Sequence, residues 1–293
     1  MSTVDVPLKN KRLPLRGWIG IVLIIIFWYI NWQVEGLRTH YGFFPLWLGY
    51  CLVVDAITCM RKGNSLISRS VKGFFFLFSL SIPGWWLFEF INDKAHYWHY
   101  TERDHFSDLE YFLYASLSFS TVIPAVFSTS ELVGTFSIFQ KPITGPQVGK
   151  SRASIISMFV LGILMLAGVF LYPEYSAAFL WMSIYFILDP INHYLGNRTL
   201  IQGTARHNWS EVIILWVGCL ICGFFWEMWN YHSSPKWYYT VPYVNFWHVF
   251  EMPLVGYLGY LPFALELFAL YHLLIGLFGE SRWQKYLQLI PVI

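Results

Sequence analysis

Charge is what this sequence has least of. Lys, Arg, Asp and Glu together make up 12% of 293 residues, against about 25% in a soluble globular domain. A water-soluble fold is therefore excluded. The net charge is only +2 and no basic stripe is present, which argues against nucleic acid as a partner. Cysteine is scarce too. Cys51, Cys59, Cys219 and Cys222 all lie in or beside apolar segments, so no disulfide framework is expected. Cys219-Leu-Ile-Cys222 has redox-motif spacing, but inside an apolar run it reads as packing. There is no Gly-rich phosphate loop, no Ser with an acid and a histidine in triad order, and no multi-histidine array. His96, His99 and His105 stand near Glu102 and Asp104 without tight ligand spacing, which reads as an interfacial loop. Neither a metal nor any other cofactor is predicted.

What the chain has in excess is apolar and aromatic side chains, 56% and 20% of residues. The fold class that follows is all-α: a polytopic transmembrane helix bundle. A span needs roughly 20 apolar residues. Eight stretches meet that length, at about 17–34, 42–60, 72–92, 109–134, 153–172, 175–193, 210–230 and 248–278. The basic stretch before the first runs into an apolar segment with no small-residue cleavage site, so it is not read as a cleavable signal. Lys and Arg concentrate in alternate connections: Lys9, Lys11, Arg12 and Arg16; Arg61, Lys62, Arg69 and Lys72; Lys141, Lys150 and Arg152; Arg198 and Arg206; Arg282 and Lys285. The positive-inside rule then puts both termini in the cytoplasm, and the short loops suit a bacterial inner membrane.

The chain also repeats itself. Leu46-Trp47 through Asp55 reads again as Leu180-Trp181 through Asp189, and Gly63-Asn64 as Gly196-Asn197. Glu89-Phe-Ile-Asn92 recurs as Glu227-Met-Trp-Asn230, and Trp98-His-Tyr-Thr101 as Trp237-Tyr-Tyr-Thr240. Glu110 then matches Glu251, and Pro124 matches Pro262, with an offset that drifts only from about 133 to 141 residues. An N-terminal repeat over 1–134, a linker over 135–152 and a C-terminal repeat over 153–293 follow. Four spans per unit is an even number. The two units must then run parallel, related by a pseudo-two-fold along the membrane normal, not as inverted repeats.

The repeated positions are acidic, and an ion at membrane depth is costly. Asp55 and Asp189 fall toward the cytoplasmic helix ends. Glu89 and Glu227 fall in the last turns of outward spans, and Glu110 and Glu251 in the first turns of the spans that return. Glu266, fifteen residues after Glu251, lies about 22 Å further in along a helix. Each acid also has a plain structural role open to it: a cap, a dipole partner or a hydrogen bond to a neighbouring helix. Asn92 and Asn230 read as helix C-caps. Pro124 and Pro262 should kink their helices. Gly256-Tyr257-x-Gly259-Tyr260 reads as small residues for close helix approach.

The order of an acid, Trp-x-Tyr in a short loop and a second acid opening an aromatic span resembles the bacterial and archaeal lycopene cyclase domain. Here it runs Glu227, Trp237-Tyr238-Tyr239, Glu251-Met252-Pro253, and Glu89, Trp98-His99-Tyr100, Glu110. The proline follows the acid where that family has Pro-x-Glu-Glu. The resemblance covers the last two spans of each half. It implies acid–base chemistry on an isoprenoid or other lipid: cyclisation, hydration or isomerisation with no cofactor. A carboxyl group shielded from water can hold its proton at neutral pH. On that resemblance Glu227, Glu251, Glu89 and Glu110 are the catalytic candidates. Trp226, Trp229, Trp237, Tyr239, Asn230 and Trp98 are the candidate substrate-binding residues, offering π-faces to a carbocation. Two other functions stay open: a proton- or cation-coupled transporter using Asp55, Asp189 and Glu266 as a path, and a non-catalytic membrane subunit. The expected partners are a lipid-soluble substrate and the bilayer, and a homo-oligomer is left open.

Overall fold

The computed structural model describes residues 12–278 and 281–290. Lys9, Lys11 and the side chain of Arg282 lie outside them. The helices are α1 Leu15–Gln33, α2 Thr39–Lys62, α3 Leu66–Arg69, α4 Val71–Ala95, α5 Asp108–Phe119, α6 Val122–Val133 and α7 Ser137–Gln140. They continue as α8 Arg152–Leu171, α9 Ala177–Leu195, α10 Ile201–Thr204, α11 Ser210–Tyr231, α12 Tyr260–Leu277 and α13 Ser281–Gln284. Four short strands complete the set: β1 Trp98–Tyr100, β2 Trp237–Tyr239, β3 His248–Val249 and β4 Met252–Pro253.

Among the described residues seven segments are long and apolar enough to cross a membrane: α1, α2, α4, α5 with α6, α8, α11, and α12 with the 3-10 turn before it. The chain is thus a multi-pass integral membrane helix bundle. The stretch expected as the sixth of eight spans is helical as α9, but falls outside that set. Its C-terminal part, Asp189-Pro-Ile-Asn192-His193, is too polar.

α1 and α8 lie on the outside, packed on α2 and α9 respectively. Their exposed faces carry Val22, Ile25 and Ile26, and Val160, Leu161 and Leu164. Both contacts are close. A Cβ on Gly20 would stand 2.6 Å from the Gly49 carbonyl, and one on Gly162 would stand 3.0 Å from the Ile187 amide. Small residues let membrane helices approach at backbone distance. The centre of the bundle is α2, α6, α11 and α12. α2 and α9 each stop at a glycine in the left-handed conformation, Gly63 at φ 84° and Gly196 at φ 76°, the usual C-terminal helix stop.

The spans Asp108–Val133 and Leu254–Leu277 break ahead of their prolines instead of kinking. α5 ends at Phe119 and α6 restarts at Val122, with Pro124 in its first turn. The 3-10 turn Leu254–Gly259 gives way to α12 at Tyr260, with Pro262 in its first turn. A first-turn proline leaves no intrahelical acceptor unmet, because its missing N–H had no partner there. The break at Phe119 still frees backbone groups, and Ser81 takes them up. Its hydroxyl donates to the Phe119 carbonyl at 2.6 Å and accepts the Ile123 amide at 3.1 Å. Broken backbone at membrane depth is tolerated where protein satisfies it in this way.

The expected linker packs firmly. Residues 143–148 hydrogen-bond to 204–210, with the Trp209 amide on the Ile143 carbonyl at 2.8 Å and its indole N–H on the Pro146 carbonyl at 2.7 Å.

Candidate functional site

α4 and α11 end in loops that meet. β1 and β2 pair antiparallel in the register Trp98↔Tyr239, His99↔Tyr238, Tyr100↔Trp237. Two asparagines, one at each helix end, set the ribbon. Asn92 donates to the Trp98 carbonyl at 2.8 Å and accepts the Tyr97 amide at 2.8 Å. Asn230 donates to the Trp237 carbonyl at 2.7 Å and accepts the Trp237 amide at 2.9 Å. The C-cap expectation is corrected, since α4 runs on to Ala95 with His96 as its cap. Asn230 likewise lies inside α11, holds the ribbon and is not on the cavity wall described below.

Side chains alternate along a strand. Trp98 and Tyr100 therefore share one face of β1, and Trp237 and Tyr239 one face of β2. Each pair closes on a carboxylate. Glu89 Oε1 accepts from Trp98 Nε1 at 3.1 Å, Tyr100 Oη at 2.5 Å and Trp85 Nε1 at 2.8 Å. Glu227 Oε1 accepts from Tyr239 Oη at 2.7 Å, Tyr260 Oη at 2.7 Å and, at 3.5 Å, Trp237 Nε1. Four residues before Glu89 stands Trp85, which supplies the third donor. Four residues before Glu227 stands Gly223 instead. A Cβ there would lie 2.5 Å from the Tyr260 ring, so the missing side chain admits Tyr260, which becomes the donor. Glu227 is fully buried, and its Oε2 has no hydrogen-bond partner among the described residues. An unmet acceptor in a dry site is costly, and such a group needs a functional or structural account.

The donors also line one cavity of about 170 Å³, to which α4 with β1 and α11 with β2 both contribute. Phe43, Trp98, Phe119, Val122, Trp226 and Phe263 form its buried part. Trp181 stacks on Trp98 at 5.9 Å, and Trp226 on Tyr260 at 5.9 Å. Glu89 and Glu227 stand behind this wall, one hydroxyl or indole away from the space. The arrangement can hold an apolar molecule among π-faces and exchange protons with it through tyrosine hydroxyls.

The other expected site residues sit elsewhere. Glu110 is exposed and forms a capping box with Ser107, whose amide and hydroxyl it accepts at 2.9 and 2.7 Å. Glu251 does not open a helix. It lies in the turn of the β3–β4 hairpin, directly before Met252-Pro253, and pairs with Lys236. Trp229 faces away from the cavity, against Trp47 at 5.0 Å and Phe225 at 5.2 Å.

Of the three acids expected on an ion path, two are structural ties. Asp55 accepts from Arg16 at 2.7 Å, Ser65 Oγ at 2.9 Å and the Ile67 amide at 2.9 Å. Asp189 accepts the Leu200 and Ile201 amides at 3.2 and 3.0 Å. Each holds the short helix that follows its own, α3 or α10. Asp189→Ala is accordingly expected to cost about 1–3 kcal/mol for each buried amide left bare. Thermal unfolding in detergent measures it; a wild-type melting temperature would remove the assignment. Glu266 is the exception: it is buried on α12, and among the described residues neither oxygen has a well-formed hydrogen bond.

The Trp-x-Tyr pattern points to Tyr100, whereas it does not reach Trp85, Trp181, Tyr260 or Phe263. Spacing signals two of them: Trp85 is one helical turn from Glu89, and Tyr260 ends the Gly-Tyr-x-Gly-Tyr stretch. Comparisons with protein-family models, curated proteins and solved structures find no match to this chain.

Proposed function

We propose that the protein is a membrane enzyme performing acid–base chemistry on an isoprenoid or other unsaturated lipid, with one site shared by the two halves. The observation that carries this is the pair of Trp–Tyr–Glu groups set behind a single aromatic cavity. A carboxyl group protonates an alkene carbon, a second π-bond or a water molecule attacks the cation, and a second carboxylate removes a proton. The product has the substrate's mass if it cyclises or isomerises, and one added water if it is hydrated. Glu227 is the acid. When it carries a proton, its contact with Tyr239 or Tyr260 runs from carboxyl to tyrosine, and the tyrosine passes its own proton to the cavity. Glu89 is the base, through Tyr100 in the same manner. Trp98, Trp226 and Trp237 face the cation.

The chain is then two parallel four-helix units, with α9 as the sixth of eight spans. The basic helix ends, among them Arg61, Arg69 and Arg198, face the cytoplasm of a bacterial cell together with both termini, and the ribbon lies on the far side. The likeness to the lycopene cyclase domain points the same way. Lipids extracted from cells making the wild type, Glu89→Gln/Glu227→Gln or no protein test the proposal by untargeted mass spectrometry. A same-mass retention shift or a hydration product confined to the wild type is expected. Identical profiles with folded protein in the membrane would remove it.

A further inference from the structure

Charge on the cavity wall is of one sign. Among the described residues Arg103 and Lys236 line the cavity and no Asp or Glu does, although Asp108 and Glu251 pair with those two cations. The two cations sit at the more exposed part, with 36% and 31% of their side-chain surface open. The opposite part is aromatic and buried. The Arg103 guanidinium lies 4.1 Å over the Tyr111 ring, which also lines the cavity. Its carboxylate partner Asp108, at 2.5 Å, is 99% exposed, and such a pair holds little free energy against a competing anion. Lys236 pairs with Glu251, which is off the wall. His40 shares the wall and has a buried Nδ1 with no hydrogen-bond partner among the described residues.

We infer that the cavity takes an amphiphile with an anionic head, its chain among the aromatic side chains and its phosphate or carboxylate between Arg103 and Lys236. This deepens the proposed lipid chemistry and rests on the same cavity. Arg offers a planar fork of donors and Lys a point charge, the pair commonly used for oxyanions. A pure hydrocarbon would leave both cations without a role in binding.

Binding is read by quenching of tryptophan emission, since Trp85, Trp98, Trp181, Trp226 and Trp237 stand on the wall. The full-length purified chain in non-ionic detergent is titrated with farnesyl phosphate, oleate and farnesol. At least one anion is expected to bind about tenfold tighter than farnesol, a difference of about 1.4 kcal/mol. Farnesyl phosphate ahead of oleate assigns a phosphate head, and the reverse order a carboxylate. Arg103→Gln/Lys236→Gln is expected to abolish the preference while farnesol binding persists, and Arg103→Lys/Lys236→Arg to keep it. Where the double glutamine variant does not fold, Arg103→Gln alone carries the test. Equal binding of all three probes, or a preference that survives the glutamines, overturns the head site. Anion preference combined with unchanged lipids in the Glu89→Gln/Glu227→Gln cells would keep the head site and remove the proposed chemistry.

Discussion

Glu227→Gln is expected to lower formation of the wild-type-specific lipid by about 10²–10⁴-fold, the usual share of a positioned acid–base group. Glutamine keeps the shape and one carbonyl oxygen, so Tyr239 and Tyr260 can still donate to it. It cannot release a proton. The fold should therefore persist while turnover falls. Glu110→Gln supplies the contrast, because its carboxylate caps α5 in the open and touches neither tyrosines nor cavity. Product measured per folded protein separates the two. Equal losses in both variants, or none in Glu227→Gln, would remove Glu227 from the chemistry. Tyr239→Phe and Tyr260→Phe then ask which hydroxyl carries the proton, since either lies 2.7 Å from the same oxygen.

The largest loss of stability is expected at the other end of the bundle, from Glu131→Ala. Glu131 is buried in α6 and accepts from Lys62 at 2.8 Å, from Arg69 and from the Gln288 amide at 2.8 Å. Lys62 and Arg69 have only 6% and 15% of their side chains exposed. Deleting the acid leaves two shielded cations without a counter-charge, which costs about 3–5 kcal/mol. Asp93→Ala breaks a pair that is 62% and 71% exposed and should leave melting unchanged. Thermal unfolding in detergent decides. A small shift for Glu131→Ala would mean that water reaches Lys62 and Arg69.

The features legible in the sequence were those set by composition and by a helix's own residues. Apolar runs gave the helices, and the acids in them marked Glu89 and Glu227. The recurring Trp-x-Tyr placed both donor pairs in loops, though not that the loops would pair with each other. Long-range pairing leaves no local pattern in three residues of strand. Glu251 misled because an acid before an apolar run looks like a helix start, while Pro253 and Pro262 here impose a hairpin and a break. Trp229 misled because an aromatic side chain beside an acid reads alike whether it faces a cavity or a neighbouring helix. The rotation that decides comes from α1 and α2. Asn31 fixes it by donating to the Trp229 carbonyl at 3.0 Å.

Trp98 faces Tyr239 and Tyr100 faces Trp237, so position one of each strand meets position three of the other. That is the rule of an isologous dimer contact, in which a surface recognises its own copy. Either strand could pair with a duplicate of itself in the same arrangement and present the same aromatic residues to both carboxylates. A ribbon of this register can thus be closed by two identical strands as readily as by two different ones. Covalent joining removes the need for the two sides to be identical, and here they differ: Trp85 is a donor to Glu89, whereas Tyr260 over Gly223 is a donor to Glu227.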